Sequence, residues 1–188
     1  MLIFRAIRVL NVSFFYTRLR FNTLPIHMLD NDRKDFYSYD SSWERTYYDE
    51  QTGGFLVTQL ARKYKPKSKN ENEIFMKEQR MGMKLASFGF QIEHLNEVTG
   101  VSSPDVRVRR HGSVCIIVHG VFADFKSTKS ANNIVDYAKH AVRDQRADFI
   151  FIEFESHDRK IPARIKEMIM NNIHGYYYYR HEKEYYSF

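Results

Sequence analysis

The sequence predicts an α/β fold in which a mixed central β-sheet is flanked by helices. Three observations carry that prediction. A helical period runs from Glu71 to Phe88 and stops at Gly89, alternating apolar and polar residues mark strands at 90–95, 105–109 and 121–125, and Phe149 to Phe154 (FIFIEF) is an unbroken apolar run suited to a buried central strand. From Glu71 the order reads helix, strand, strand, strand, helix, strand, helix, strand, an α-β-β-β-α-β core with one further helix and strand.

Taken in chain order, Met1 to Tyr16 is apolar but interrupted by Arg5 and Arg8. A bilayer span needs roughly 18 uninterrupted apolar residues, so no stable membrane insertion is expected. Residues 30–50 mix acids, aromatics and serines without a period and read as irregular. Gly53-Gly54 turns the chain into a short strand, Phe55 to Thr58, and Arg62 to Asn70 (RKYKPKSKN) reads as a solvated basic linker or a phosphate-contacting arm. Residues 1–70 are therefore expected to form an N-terminal extension and 71–188 the domain proper. Within it, Val101 to Pro104 is a turn, His111-Gly112 reverses the chain, and Val114 to Val118 and Val121 to Phe125 form one bent or two short strands around Gly120. Ser130 is placed to cap a helix ending near Asp144, Pro162 suits the first turn of another ending near Asn172, and the tyrosine-rich tail reads as an edge strand.

The composition sets limits on function. The 188 residues are 43% hydrophobic and 28% charged, with 8 Gly and 4 Pro, which excludes a repeat array, a collagen-like chain and wholesale disorder. Lys and Arg outnumber Asp and Glu by 29 to 23, so a polyanionic partner is favoured over a polycationic one. The single cysteine, Cys115, permits neither an internal disulfide nor a cysteine-based zinc site. Any metal must then be held by oxygen or histidine.

Glu78 is the most informative position. Ile74, Glu78, Met81, Leu85 and Phe88 fall on one helical face, so a carboxylate interrupts an apolar stripe. A buried ionised group is costly unless it is paired or binds a cation; an arginine partner and a metal ion both satisfy it. In Val121 to Ser127, period two sends Asp124 and Lys126 to one side of an apolar strand. There they either neutralise each other or serve a site. Asp105, directly after Pro104, opens the preceding strand. A helix acid, a Pro-Asp and an Asp-x-Lys converging at one sheet edge would hold a hard divalent cation. That cation would polarise a phosphodiester and activate water, with Lys126 stabilising charge on the phosphate. Gln145 ends the stripe Ile134, Ala138, Ala141, Gln145 of the second helix, either as a satisfied buried amide or as a contact to the scissile phosphate.

Glu78, Pro104-Asp105 and Asp124-Phe125-Lys126 resemble the signature of the PD-(D/E)XK, or restriction-endonuclease-like, nuclease superfamily. With Leu85-Ala86, Gly89, Ala123 to Ser127 and Gln145 before an apolar strand, residues 71–155 resemble more narrowly the C-terminal nuclease domains of contact-dependent growth inhibition (CdiA) toxins. The resemblance implies a restriction-endonuclease-like fold and metal-dependent hydrolysis of tRNA or DNA. It makes Glu78, Asp105 and Asp124 the metal-binding acids, Lys126 the catalytic lysine and Gln145 a further active-site residue. Magnesium is the implied ion, with manganese or zinc as alternatives. A cognate immunity protein, delivery as part of a toxin system and a cytoplasmic site of action are implied as well. The basic turn between Asp105 and Asp124 departs from the family pattern. A non-catalytic nucleic-acid-binding module or interaction protein of the same fold is the alternative. Arg107, Arg109, Arg110, Lys129, Lys139, Arg143 and Arg146 are the expected phosphate contacts, giving salt-sensitive binding. Tyr176 to Tyr179 would either stack on bases or fill the core.

Overall fold

The computed structural model describes residues 26–96, 102–111 and 120–188. Helix α1 (Ile26–Ser38) precedes strands β1 (Trp43–Tyr48) and β2 (Phe55–Gln59), followed by helices α2 (Leu60–Tyr64) and α3 (Lys69–Ser87). Strands β3 (Phe90–His94), β4 (Val106–His111) and β5 (Val121–Thr128) come next, then α4 (Ile134–Arg143), β6 (Phe149–Phe154), α5 (Ile161–Met170), β7 (Gly175–Tyr179) and β8 (Tyr185–Ser187). The eight strands make one mixed sheet in chain order. The pairs β2/β3, β5/β6 and β6/β7 are parallel and the other four antiparallel. Each parallel pair is joined through helix, as a parallel crossover requires: α2 and α3, then α4, then α5.

Period two sorts the core. Leu56, Phe90, Ile92, Val106, Val108, Ala123, Phe125, Phe151 and Tyr178 face α3 and pack with Met81, Leu85 and Phe88. On the opposite face Ile150, Ile152, Phe154 and Tyr177 pack against α4 and α5, and Phe55 and Val57 pack against Phe36 of α1. Helix α3 begins with a capping box, the Ser68 hydroxyl accepting from Glu71 N and the Glu71 carboxylate accepting from Ser68 N. It ends before Gly89, whose φ of 94° is open to glycine and strained for other residues.

Several sequence expectations are corrected. Residues 30–50 contain most of α1 and all of β1, which were missed because among the described side chains α1 buries only Phe36 and Asp32 and β1 is a half-buried edge strand. The segment Arg62 to Asn70 is not simply a solvated linker: α2 takes Arg62 inside, to 5% exposure. Ser130 does not cap α4, since Asn133 precedes its first turn without a side-chain cap. The tail makes two strands rather than one, and Tyr177 and Tyr178 are core residues. The expected strand Val114 to Val118 and the segment Met1 to Tyr16 lie outside the described residues.

Two stability predictions arise here. Gly54 leads into β2, and a Cβ added to it would collide with the backbone carbonyl of Ala86 and crowd Gly89 Cα, which cannot swing away. Gly54→Ala should cost about 1–3 kcal/mol or more, read as a lower urea midpoint; an unchanged midpoint would contradict that packing. Glu153 on β6 accepts at Oε1 from Arg80 (2.7 Å), Arg180 (2.9 Å) and Ser127 (2.9 Å). Burial raises its pKa, but the hydrogen bonds from Arg80, Arg180 and Ser127 outweigh burial and hold the carboxyl below its ordinary 4.5. Its folded pKa being the lower one, its contribution to stability is present above about pH 4.5 and lost as pH falls through the folded value. Glu153→Gln should therefore flatten the acid limb of the stability curve measured by urea unfolding.

Candidate active site

The sheet is forked between β4 and β5. Strand β4 pairs only with residues 121–123 of β5, whereas β5 continues alongside β6 to Thr128. Past Ala123, the edge of β5 is thus released from β4, and the fork brings the sequence-predicted residues into play.

Asp105 sits at the head of β4, its Oδ2 accepting from the backbone N–H of Phe125 at 3.0 Å. That bond ties the start of β4 to the middle of the Asp-x-Lys segment. Asp124 is fully buried, and its neighbour across β5 and β6 is Ile150, which puts its side chain on the face covered by α4 and α5. Lys126, two residues on and paired with Ile152, shares that face and is ion-paired with Asp124 Oδ2. Neither Asp124 oxygen has a hydrogen-bond donor aligned on it. A proton on Asp105 is the donor that would satisfy it. Burial, the hydrogen bond to Asp124, and the charges of Asp124 and Glu78 push the Asp105 carboxyl well above its ordinary value, against the N–H of Phe125. Two carboxyl groups side by side in a buried place call for a proton or a cation between them.

Glu78 approaches from the other face, on α3. Its Oε2 accepts from Arg62 Nη2 at 2.5 Å and lies 3.2 Å from His94 Nε2. Burial raises the Glu78 carboxyl, yet the His94 hydrogen bond and the Arg62 charge outweigh it and leave the group below its ordinary range. Both contacts fall on one oxygen, so Oε1 has no protein partner among the described residues. The two readings of Glu78 open from sequence thus divide between its oxygens: the arginine partner exists, while the second oxygen is uncommitted.

Among the described residues no group of three His, Cys, Asp or Glu side chains is arranged to hold a metal ion. The structure brings Asp105 and Asp124 together, with the Glu78 charge felt at Asp105, and leaves Glu78 itself turned toward Arg62 and His94. The pair fits a hard divalent cation in its chemistry: two carboxylates, one with both oxygens buried and no aligned donor. A magnesium ion commonly takes only one or two carboxylates and fills its sphere with water and phosphate.

The remaining expected residues are dispersed. Gln145 lies past the end of α4 rather than on it, and its buried Oε1 finds no hydrogen-bond partner. Arg107 is paired with buried Glu93, and Arg109 lies 3.7 Å from the same carboxylate and donates to Tyr39 Oη at 3.1 Å. Those two guanidinium groups hold β4 to β3 and to the segment after α1. The Arg110 side chain lies outside the described residues. Lys129 is exposed and 4.0 Å from Glu155; Arg143 and Arg146 are exposed and Lys139 half-buried, all three on α4 or the turn after it. Sequence reasoning missed Arg62, Gln79 and His94. The apolar alternation of FQIEHL placed His94 on the inward face together with Phe90 and Ile92, which was the available signal for it.

No helix among the described residues is long and apolar enough to cross a membrane. No family model and no curated protein matches the sequence. Among solved structures, the chain is similar to one from the CdiA-CT/CdiI toxin and immunity complex of Burkholderia pseudomallei, with 16% identity, 66% of this chain and 89% of that chain covered, and a TM-score of 0.46.

Proposed function

We propose that this protein is a metal-dependent nuclease of toxin-like type that hydrolyses phosphodiester bonds in tRNA or DNA. The observation that carries the reading is the buried Asp105–Asp124 pair beside Lys126 at the fork of the sheet. A divalent ion, magnesium in the first instance, would supply Lewis acidity toward the phosphate and lower the pKa of a water molecule when bound there. Asp105 and Asp124 would hold that ion, which would take the place of a proton on Asp105. Lys126, its side chain one-fifth exposed, would neutralise charge gathering on the phosphate oxygens as the bond to the leaving oxygen lengthens. Glu78 Oε1 would accept a hydrogen bond from the attacking water and orient it. Burial of the acids keeps these charges effective by excluding bulk water.

The toxin-like branch, a cognate immunity protein and a cytoplasmic site of action after delivery rest on the sequence motifs at 71–155. A second reading, a nucleic-acid-binding module without catalysis, is favoured by the closed Arg62–Glu78–His94 arrangement. Incubation with total tRNA and with plasmid separates the two: discrete fragments with magnesium and none with chelator support the nuclease, and intact nucleic acid with magnesium, manganese or zinc removes it. The ion itself has an independent readout. Because a cation held by Asp105 and Asp124 would bind only the folded protein, magnesium at about ten times its Kd should stabilise the fold by about 1.4 kcal/mol, seen as a raised Tm that Asp124→Asn abolishes.

A further inference from the structure

We propose that Gln79 and His94 are positioning residues that fix the Glu78 carboxylate through a hydrogen-bond chain of defined direction, an inference that rests on the reading above only for its effect on cleavage. Gln79 follows Glu78 on α3, and its Nε2 lies 2.8 Å from Thr58 Oγ1 and 2.7 Å from His94 Nδ1. An amide nitrogen has two hydrogens and accepts nothing. One hydrogen goes to Thr58 and the other to His94, so Nδ1 is the acceptor nitrogen of the ring. The single proton of a neutral imidazole is thereby assigned to Nε2, which points at Glu78 Oε2 3.2 Å away.

The chain also has an anchored far end. Thr58 Oγ1, which accepts from Gln79, is also hydrogen-bonded to Thr46 Oγ1 at 3.0 Å. Gln79, Thr58, His94 and Glu78 are all buried, and the His94 ring stacks on Phe75 at 5.6 Å with 12° between the planes. The ring is thus held by Phe75 on its face and by Gln79 and Glu78 at its two nitrogens. With Arg62 on the same oxygen, the two donors stop the Glu78 carboxylate from rotating and leave Oε1 as the oxygen available to water or an ion. This is the kind of outer shell whose loss typically lowers metal affinity or activity about 10-fold to 100-fold.

The test begins on the unmodified protein in chelator. Nitrogen-15 two-bond correlation spectra of the imidazoles, with His94 assigned through its own side chain, should show a neutral ring protonated at Nε2. A ring protonated at Nδ1, or one averaging between tautomers, overturns the proposal. Gln79→Met removes the donor at similar volume and should make the His94 tautomer average, weaken magnesium binding in calorimetry about 10-fold, and lower kcat with KM little changed. Gln91→Met is the control: it removes a buried amide that donates to Asp32 at 3.0 Å on the other face of the sheet, and it should leave all three unchanged. Equal losses in both variants would reduce Gln79 to an ordinary core residue and overturn the proposal. If the parent cleaves nothing, the nuclease reading fails by itself, while the tautomer and the magnesium affinity still decide this one.

Discussion

On the proposed nuclease reading, Asp124→Asn is expected to lower cleavage of plasmid or tRNA about 100-fold to 1000-fold, the usual effect of losing one preorganised charge, while nucleic-acid binding measured in chelator is kept. The asparagine has nearly the same shape, so the packing around this fully buried position is preserved. What changes is charge. The amide removes the carboxylate partner of the Lys126 ammonium and half of the proposed two-carboxylate ligand set. It also takes away the neighbour that, after burial, does most to raise the Asp105 carboxyl. One negative charge fewer beside the nucleic acid favours association with a polyanion, so the defect should fall on kcat, and binding in chelator should hold or tighten slightly. An asparagine variant that cleaves as fast as the parent would falsify the assignment of the fork as the reactive centre.

Arg62→Met destabilises the protein by about 3–5 kcal/mol, the cost of leaving a buried carboxylate without its charge partner. The guanidinium and the Glu78 side chain are only 6% and 11% exposed, and the bond between them is 2.5 Å long. Among the described residues His94 would then be the one donor left on Oε2, and burial, already the largest influence on the Glu78 carboxyl, would drive it upward. The double variant Arg62→Met/Glu78→Gln should recover most of the loss, because an amide needs no counter-charge; neighbouring residues of this kind are expected to be strongly non-additive. Urea unfolding of the four proteins of the cycle checks this. A single variant within about 1 kcal/mol of the parent, the value of an exposed ion pair, would mean that water reaches Glu78.

The two predictions show where sequence reading succeeded and where it stopped. Glu78 was visible because an acid inside a helical apolar stripe has to be answered by something, and the helix period places it without knowledge of the rest of the chain. Asp124 and Lys126 were visible for the same reason in a strand. Arg62 was not, because a basic run around a proline has the composition of a solvated segment, and nothing local says that its first residue turns inward. The partners of Arg107 and Arg109 were hidden in the opposite sense: basic residues on an alternating strand look unpaired, but Glu93 on the neighbouring strand and Tyr39 bond to them. Gln145 was placed on a helical face that ends two residues earlier.

The sequence by itself determined the order of elements from residue 71 to β7, the burial of the helix acid, and the shared face of Asp124 and Lys126, since these follow from periods of 3.6 and 2 along one stretch of chain. Only the tertiary structure decided that β1 and β2 join the same sheet, that Asp105 bonds across to the backbone of Phe125, and that Arg62 and His94 meet on one oxygen of Glu78. The physical reason is that pairing between strands and the choice of a counter-charge depend on which distant groups are brought close enough to bond, and that proximity is set by how the whole sheet assembles rather than by any local pattern.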